Sequence, residues 1–307
     1  MKRAVNCGLV KADNMKQAIL LLSFGTPRQP SDLLPYLTSI RRGKIPTERE
    51  LKVLTARYDA IGQWDNKLLQ TMGEDQKKTL KSLLAIDAMY LAYLHMPNSM
   101  EQAIESIAIA GYTSILCIVT SPFYSMVGTG AYERKLHSIL RAYPDISCEI
   151  IKSWWNRPQF FEYWRSQLMA ANPLQADTAC IFSAHSVPTS TVGSYEDEVM
   201  SASNQIAKMV GLNHWYQAWQ SAAPYGEWLG PTIESVIEQA LIDGAKRIVC
   251  IPFGFVSDHV EILYDNDIIC RNIVENAGAT YERLPMPNGN TLFMEAMAKA
   301  IRERINK

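Results

Sequence analysis

The stretch Ile233-Glu234-Ser235-Val236 is followed by Gly244, by the apolar run Ile248-Val249-Cys250-Ile251 and by Pro252-Phe253. The same order occurs earlier in the chain, with Ile104-Glu105-Ser106-Ile107, Gly111, Ile115-Leu116-Cys117-Ile118 and Pro122-Phe123. Each copy predicts an amphipathic helix, a glycine that ends it and a buried strand. Because this unit occurs twice, we expect two α/β domains of similar construction.

Short apolar runs alternate with longer stretches of helical periodicity along the chain. The apolar runs cover 18–24, 88–94, 114–119, 148–152, 178–182, 216–219 and 247–252. The helical stretches cover 51–58, 71–84, 99–110, 158–170, 196–210, 232–242 and 291–305. The alternation is typical of parallel sheets with crossover helices. It predicts two doubly wound, Rossmann-like α/β domains, each with a mainly four-stranded sheet flanked by helices, facing a central cleft.

The domain boundaries follow from this pattern. We predict a flexible N-terminal arm over 1–17, an N-terminal α/β domain over 18–150 and a C-terminal α/β domain over 151–307. The final helix can pack on either domain or across both. No window approaches the roughly 18 to 20 uninterrupted apolar residues of a membrane-spanning helix, and the first residues lack a signal peptide's apolar core.

Charge and cysteine content narrow the function classes. The 307 residues include 30 Lys+Arg and 31 Asp+Glu, a formal net charge of −1, so no broad basic field exists to bind nucleic acid or an anionic membrane. The six cysteines show neither a C-x-x-C pair nor zinc-ligand spacing. We interpret them as reduced core residues of a cytoplasmic protein.

His185 stands where an apolar strand ends, within Ile181-Phe182-Ser183-Ala184-His185-Ser186-Val187-Pro188. A lone histidine beside such a strand is more often a hydrogen-bonded structural residue. Its position favours function, because open α/β sheets bind ligands at the carboxyl ends of their strands. A neutral imidazole there can accept a proton or bind a metal ion.

Three carboxylates follow the second copy of the repeat. If 257–270 is helical, Asp258, Glu261 and Asp265 fall at i, i+3 and i+7 and lie along one face. Acidic residues are also common on solvated faces near a helix N-terminus. The preceding buried strand places this first turn at the cleft, where a line of carboxylates suits a cation or a proton relay.

The N-terminal half carries a third cluster, Ile40-Arg41-Arg42-Gly43 with Arg57-Tyr58 downstream. Any one of these arginines taken alone is an ordinary solvated side chain. Their proximity to the first strand-end turn makes them candidate ligands for carboxylates. The neighbouring segment from Tyr58 to Trp64 is aromatic and apolar, so the pattern favours a flat apolar ligand with carboxylate arms.

These residues, taken in order, resemble the ferrochelatase family, whose members insert ferrous iron into a porphyrin. The resemblance covers about residues 18–305. Its pieces are Phe24-Gly25-Thr26-Pro27, Ile40-Arg41-Arg42-Gly43, Arg57-Tyr58-Asp59-Ala60-Ile61-Gly62, Ser183-Ala184-His185-Ser186-Val187-Pro188, Trp219-Gln220-Ser221, Trp228-Leu229-Gly230-Pro231, Pro252-Phe253-Gly254-Phe255-Val256-Ser257-Asp258-His259-Val260-Glu261 and Leu263-Tyr264-Asp265-Asn266-Asp267. The compact form is similar to the soluble type of Gram-positive bacteria, which uses coproporphyrin III.

The resemblance implies a class II chelatase-like fold and a reaction in which Fe2+ is a substrate and no cofactor is needed. It implies that His185 and Glu261 face each other at the porphyrin centre as metal ligands, proton acceptors or both, with Asp265 and Asp258 as a proton or metal relay. The implied porphyrin-binding residues are Phe24, Arg41, Arg57, Tyr58, Asp65, Ser125 and Trp155. The expected partners are a porphyrin and Fe2+, with a monomeric chain, no nucleic acid and transient contact with the next enzyme of haem biosynthesis.

The chain also departs from the family pattern. A tyrosine is common where it has Phe24, a histidine where it has Phe123 and a glutamate where it has Ile269. A serine and a tyrosine are usual at the positions of Asp65 and Trp155. Phe24 therefore lacks a hydroxyl that can sit beneath the metal opposite His185, and Ile269 shortens the line of carboxylates.

Three hypotheses follow. The first is a ferrochelatase that converts coproporphyrin III to coproheme. The second is an enzyme that acts on protoporphyrin IX, or that inserts cobalt or nickel into a sirohydrochlorin-like ring. The third is a non-catalytic porphyrin- or haem-binding protein descended from a chelatase. The presence of both His185 and Glu261 favours an enzyme.

Overall fold

A computed structural model describes residues 16–64, 68–223 and 225–305, with only the backbone of 68–70. The strands are β1 (Gln17–Ser23), β2 (Met89–Tyr93), β3 (Ser114–Val119), β4 (Ser147–Ile151), β5 (Thr178–His185), β6 (Trp215–Gln220), β7 (Arg247–Ile251) and β8 (Thr280–Arg283). The α-helices are α1 (Leu33–Ile40), α2 (Glu48–Ala60), α3 (Leu68–Leu84), α4 (Ser99–Ile109), α5 (Thr129–Leu140), α6 (Pro158–Ala170), α7 (Tyr195–Val210), α8 (Ile233–Ile242), α9 (Arg271–Asn276) and α10 (Thr291–Ile305). A π-helix covers Glu261–Cys270.

The strands form two four-stranded parallel sheets of the same topology, β2-β1-β3-β4 and β6-β5-β7-β8. The predicted fold class is therefore confirmed. All seven apolar runs are strands, whereas β8 was not predicted, because its four residues at a sheet edge include the charged pair Glu282-Arg283. The repeat is also confirmed, since Gly111 and Gly244 follow α4 and α8 with φ of 74° and 100°. Glycine adopts this left-handed backbone without strain.

The buried apolar side chains of the described residues form three clusters, of which one joins the two halves. One cluster lies beneath α4 and α5, another beneath α8 and α9, each on the outer face of its own sheet. The third joins both sheets, with Leu21 and Ile118 of the first half, Phe182 and Phe253 of the second, and Phe293 of α10 in one group. The inner faces of the two sheets thus share one core.

The final helix packs against both α3 and α6. Its Arg302 donates to the carbonyl of Leu83 at the end of α3 (2.8 Å), while Phe293 packs on Trp154 with ring centroids 5.5 Å apart. The predicted arm over 1–17 lies outside the described residues except for its last two positions. No helix in the described part of the chain is long and apolar enough to span a bilayer.

Candidate active site

His185 is the last residue of β5, and its side chain is 37% exposed. The imidazole Nδ1 lies against the carbonyl oxygen of Ser186. Because a carbonyl oxygen only accepts, Nδ1 carries the hydrogen of this bond, and Nε2 is the nitrogen that exchanges protons or binds a metal. The hydroxyl of Tyr195 donates to the carbonyl of His185 (3.0 Å) and fixes the backbone at this strand end.

Glu261 begins the π-helix, and its carboxylate Oε1 lies 3.4 Å from His185 Nε2. The approach depends on Gly254, because a Cβ at that position would lie 2.4 Å from the Cβ of Ala184. Glycine therefore lets the turn after β7 press against the end of β5, directly before His185. The segment that follows this turn carries Glu261 to the imidazole.

The two side chains shift each other's proton affinity in opposite directions. Burial by itself lowers the pKa of His185, but the charge and hydrogen bond of Glu261, together with the Ser186 carbonyl and the charge of Asp265, outweigh burial and raise that pKa to about 9. Burial by itself raises the pKa of Glu261, but the charge and hydrogen bond of His185, together with the charges of His259 and Arg57, outweigh burial and lower that pKa to about 2. At neutral pH the pair therefore rests as imidazolium and carboxylate, holding one exchangeable proton.

Asp265 lies four residues further along the π-helix, whose i→i+5 hydrogen bonds widen each turn beyond the roughly 3.6 residues of an α-helix. Its carboxylate accepts from the Ser221 hydroxyl (2.8 Å) and lies 3.4 Å from Arg57 Nη1. Burial raises the pKa of Asp265 to about 6, although Ser221 and Arg57 both pull it down. Asp265 thus exchanges protons near neutral pH, whereas the neighbouring carboxylate of Glu261, with its lowered pKa, stays ionised there.

Asp258 was expected on the same helix face, but the structure places it elsewhere. The helix begins after it, and its carboxylate lies 3.1 Å from Arg283 Nη2 and accepts from the amide of Asn288 (2.8 Å). Arg283 also binds Asp267 (2.7 Å). Asp258 therefore belongs to a charge network around Arg283, and the line of carboxylates at His185 consists of Glu261 and Asp265.

The N-terminal half faces this pair through Arg57, whose guanidinium reaches from α2 to Asp265 and lies 5.0 Å from the ring centroid of Tyr264. Arg41 instead pairs with Glu50, which also closes the capping box of α2 with Thr47. Tyr58 is only 1% exposed and packs on Trp64, so its ring supports the turn from inside and does not line an open surface.

The remaining predicted porphyrin residues differ in their exposure. Phe24 is 45% exposed and packs edge-on against His95, with ring centroids 4.4 Å apart. Ser125 is buried and accepts from the backbone of Gly128 (2.9 Å), which leads into α5. Trp155 stacks on Phe123 and donates to Glu198 (2.9 Å). Asp65 lies outside the described residues.

Three polar residues at the pair were not predicted as site residues. Gln220 is 1% exposed at the end of β6, and its side chain donates to the carbonyl of Glu261 (3.3 Å). Asn266 is fully buried and donates to Gln220 (3.2 Å). His259 accepts from the backbone of Ile262 (3.3 Å) at the first turn of the π-helix. All three belong to the sequence segments that resemble the ferrochelatase family, and that resemblance is the feature of the sequence that could have identified them.

The pair offers one imidazole nitrogen and one carboxylate, two groups of the kind that can bind a metal ion, and the described residues contain no group of three or more His, Cys, Asp and Glu side chains that could hold one. Such a site binds a metal only weakly by itself. Stable coordination requires donor atoms from a second molecule.

A model of the ferrochelatase family matches residues 16–305. The chain belongs to the ferrochelatase family. Similar proteins include the coproporphyrin III ferrochelatase of Geobacillus kaustophilus, 33% identical over 93% of this chain and 95% of that protein. Another is the coproporphyrin III ferrochelatase of Staphylococcus aureus, 32% identical over 94% of this chain and 98% of that protein.

Solved structures with the same architecture include other chelatases. The sirohydrochlorin chelatase SirB from Bacillus subtilis subspecies spizizenii, solved with cobalt, aligns over 94% of this chain and 95% of its own, with a TM-score of 0.61 and 10% identity. CbiX, described as the terminal enzyme of sirohaem biosynthesis in denitrifying bacteria, aligns over 93% of this chain and 98% of its own, with a TM-score of 0.55 and 13% identity. The predicted family and enzyme class, a metal chelatase among the lyases, are confirmed, and this ferrochelatase family member has a chelatase fold.

Proposed function

We propose that this protein inserts Fe2+ into coproporphyrin III, yielding coproheme and two protons in haem biosynthesis. The observation that carries the proposal is the pair His185 and Glu261, 3.4 Å apart and about one-third exposed at a strand end. The similar proteins of Geobacillus kaustophilus and Staphylococcus aureus, named for that porphyrin, support the choice of substrate.

The proton inventory of the pair fits this reaction. When Fe2+ binds, it displaces the proton from His185 Nε2 and takes the carboxylate of Glu261 as a second ligand. When the metal passes to the ring nitrogens, Nε2 and the carboxylate are free to accept the two pyrrole protons. Both groups are then protonated, one proton more than in the resting pair.

Asp265 provides the exit for that extra proton. Glu261, with its pKa near 2 in the resting pair, releases a proton readily, and Asp265, with its pKa near 6, takes it up and exchanges it with solvent. The resting pair is restored, and the next Fe2+ displaces the second proton. Each turnover thus releases two protons, matching the two pyrrole hydrogens.

Arg57 is the group best placed to meet a carboxylate arm of the porphyrin. Its side chain is 39% exposed, and its guanidinium is already bound to one carboxylate, that of Asp265. A propionate can replace Asp265 as its partner. We assign Arg41 a second, weaker contact, because Glu50 holds it in the resting protein, and we assign Phe24 to the apolar face of the ring.

We further propose that the chain acts as a monomer, needs no cofactor and passes its product to the next haem-pathway enzyme by transient contact. Five cysteines in the described residues are free, including the buried Cys117, Cys180 and Cys250. Free buried thiols are the usual condition in a reducing compartment, which supports a cytoplasmic location.

The test is anaerobic metal insertion, with absorbance spectra recorded after Fe2+ is added to enzyme and porphyrin. Coproporphyrin III, protoporphyrin IX and sirohydrochlorin are compared in parallel, each with Fe2+ and Co2+. We expect the highest kcat/KM for Fe2+ with coproporphyrin III. A higher value for another ring would replace the substrate, and porphyrin binding without any metal-dependent spectral change would overturn the enzymatic function.

A further inference from the structure

Gln220 occupies the last position of β6 and is 1% exposed, with every polar atom of its side chain engaged. Its Oε1 accepts from the Ser183 hydroxyl (2.9 Å) and from the Asn266 amide (3.2 Å). Its Nε2 donates to the backbone carbonyl of Glu261 (3.3 Å). The two donors at Oε1 fix the orientation of the amide, so only Nε2 can face Glu261.

The same residue is tied to the other member of the pair. Gln220 is the register partner of His185 across β5 and β6, and its backbone carbonyl accepts from the amide of Ser186 (2.8 Å). Gln220 therefore contacts the strand end that carries the imidazole and the helix start that carries the carboxylate. The side chains of His185 and Glu261 themselves join β5 to the π-helix only through their ion pair, which a metal ion must open.

Ser221 extends the connection to the second carboxylate. Its backbone adopts φ of 60°, a left-handed conformation that non-glycine residues rarely adopt. Because of this turn, the side chains of the two consecutive residues point to different partners. The Gln220 amide donates to the backbone carbonyl of Glu261 in the first turn of the π-helix, and the Ser221 hydroxyl donates to the carboxylate of Asp265 (2.8 Å). The end of β6 thus holds both Glu261 and Asp265.

We propose that Gln220 is a positioning residue that sets the separation of His185 and Glu261 during metal transfer. The ion pair cannot perform this task, because it is lost each time a metal binds or both groups accept protons. The amide of Gln220 is neutral, buried and unaffected by those steps, so it keeps the backbone of Glu261 at a constant distance from β5 throughout the cycle. The inference rests on the proposed function.

The test compares Gln220→Met with Gln217→Met. Methionine matches glutamine in length but makes no comparable hydrogen bonds. Gln217 is a suitable control because it lies on the same strand, accepts from the Ser203 hydroxyl (2.5 Å) and donates to the carbonyl of Ala218 (3.1 Å), with no bond to the π-helix. Both variants therefore lose side-chain hydrogen bonds from β6, those of Gln217 being part-buried, and only Gln220→Met loses the connection to Glu261.

Four quantities are measured on each full-length variant: kcat for the porphyrin, KM for the porphyrin, the affinity of the porphyrin-free protein for Co2+ by calorimetry, and the urea midpoint of unfolding. For Gln220→Met we expect kcat to fall at least about tenfold, because a displacement of about 1 Å can cost on the order of 10²-fold. We expect weaker Co2+ binding and an unchanged KM. Gln217→Met should lose comparable stability and keep wild-type kcat and Co2+ affinity.

The inference is overturned if Gln220→Met keeps wild-type kcat and Co2+ affinity, or if Gln217→Met lowers both as much, since the effect is then general loss of packing. These outcomes are distinct from failure of the proposed function, in which the wild-type protein itself neither binds Co2+ at the pair nor metallates a porphyrin.

Discussion

The two halves of the molecule have the same sheet order and opposite chemical character at corresponding strand ends. β1 leads into Phe24-Gly25-Thr26-Pro27, and β5 ends in His185-Ser186-Val187-Pro188. When the two prolines are aligned, Phe24 corresponds to His185. One half therefore presents an apolar ring at the position where the other presents an imidazole.

The segments after the third strand of each sheet differ in the same way. After β7 the chain makes the close turn at Gly254 and starts a π-helix with Glu261. After β3 it passes through Phe123, which is 1% exposed in the core, to the buried turn at Ser125 and then to an ordinary α-helix. The comparison teaches that the shared scaffold supplies positions, while a few strand-end residues decide which half presents groups that can exchange a proton or bind a metal ion.

The largest expected effect comes from removing the imidazole that distinguishes the strand end of the C-terminal half from that of the N-terminal half. His185→Ala should lower kcat by on the order of 10³-fold, the usual scale for a lost proton-transfer group. Porphyrin affinity should stay within about twofold. The hydrogen bonds of Tyr195 and Ser186 hold the backbone of this strand end without the imidazole, so the substitution leaves the shape of the strand end intact. Stopped-flow metallation and fluorescence quenching measure the two quantities. Lost binding with residual turnover would contradict the assigned role.

Glu261→Gln is the next largest change, since it keeps the shape of the side chain and removes its charge. We expect kcat to fall by about 10²-fold, because the amide cannot accept a pyrrole proton and is a poorer ligand for Fe2+. The fold should be retained, since the bond from Gln220 goes to the backbone of Glu261. Kinetics and circular dichroism check both parts. Unfolding of the variant would instead identify Glu261 as a structural residue.

Phe24→Tyr makes the N-terminal half more like the C-terminal one by adding a polar group at the corresponding strand end. We expect a change in kcat of only about threefold, less than 1 kcal/mol in the barrier, because the ring is already fixed on His95. The value of kcat for Fe2+ insertion, compared with the wild type, provides the measurement. A change as large as that for Glu261→Gln would show that both halves carry chemistry.

The smallest effect is the pH dependence of stability that the pair His185 and Glu261 contributes in the C-terminal half. The raised pKa of His185 stabilises the fold fully below about pH 6.5, and this contribution is lost as pH rises through about 9. The lowered pKa of Glu261 stabilises it above about pH 4.5, and this contribution is lost as pH falls through about 2. The stabilisation is therefore greatest between about pH 4.5 and 6.5.

Since both side chains are about one-third exposed, solvent screening limits this contribution to under about 1 kcal/mol. Urea unfolding of the wild type and Glu261→Gln at about pH 6 and pH 10 measures it. The stability difference between the two proteins should shrink at the higher pH. A difference that grows with pH would contradict the ion pair.

The sequence was sufficient where one strand or one turn determines the outcome. The repeat predicted both sheets, because buried parallel strands are continuous apolar runs, and the strand-end position of His185 followed from it. Glu261 was predicted at a helix start and lies there. These features depend on residues close to one another in the chain.

The sequence was insufficient where residues far away in the chain determine the surroundings of a side chain. Asp258 has the spacing of a cleft residue, but Arg283, 25 positions later in the numbering, binds its carboxylate. Tyr58 lies in an exposed-looking aromatic segment, but its ring is enclosed. Gln220 appears as one polar residue after an apolar strand, and only the packing of β5, β6 and the π-helix shows that its amide connects them.

The packing of α10 has a consequence for how this chain folds. The helix closes the core that β1 and β3 share with β5 and β7, and Arg302 bonds to a carbonyl 219 positions earlier. The first sheet emerges from the ribosome early but keeps an uncovered apolar face until this helix has been synthesised. The two halves therefore cannot fold one after the other as independent domains. We expect a single cooperative folding transition, whose slow final step is the packing of α10 against both halves.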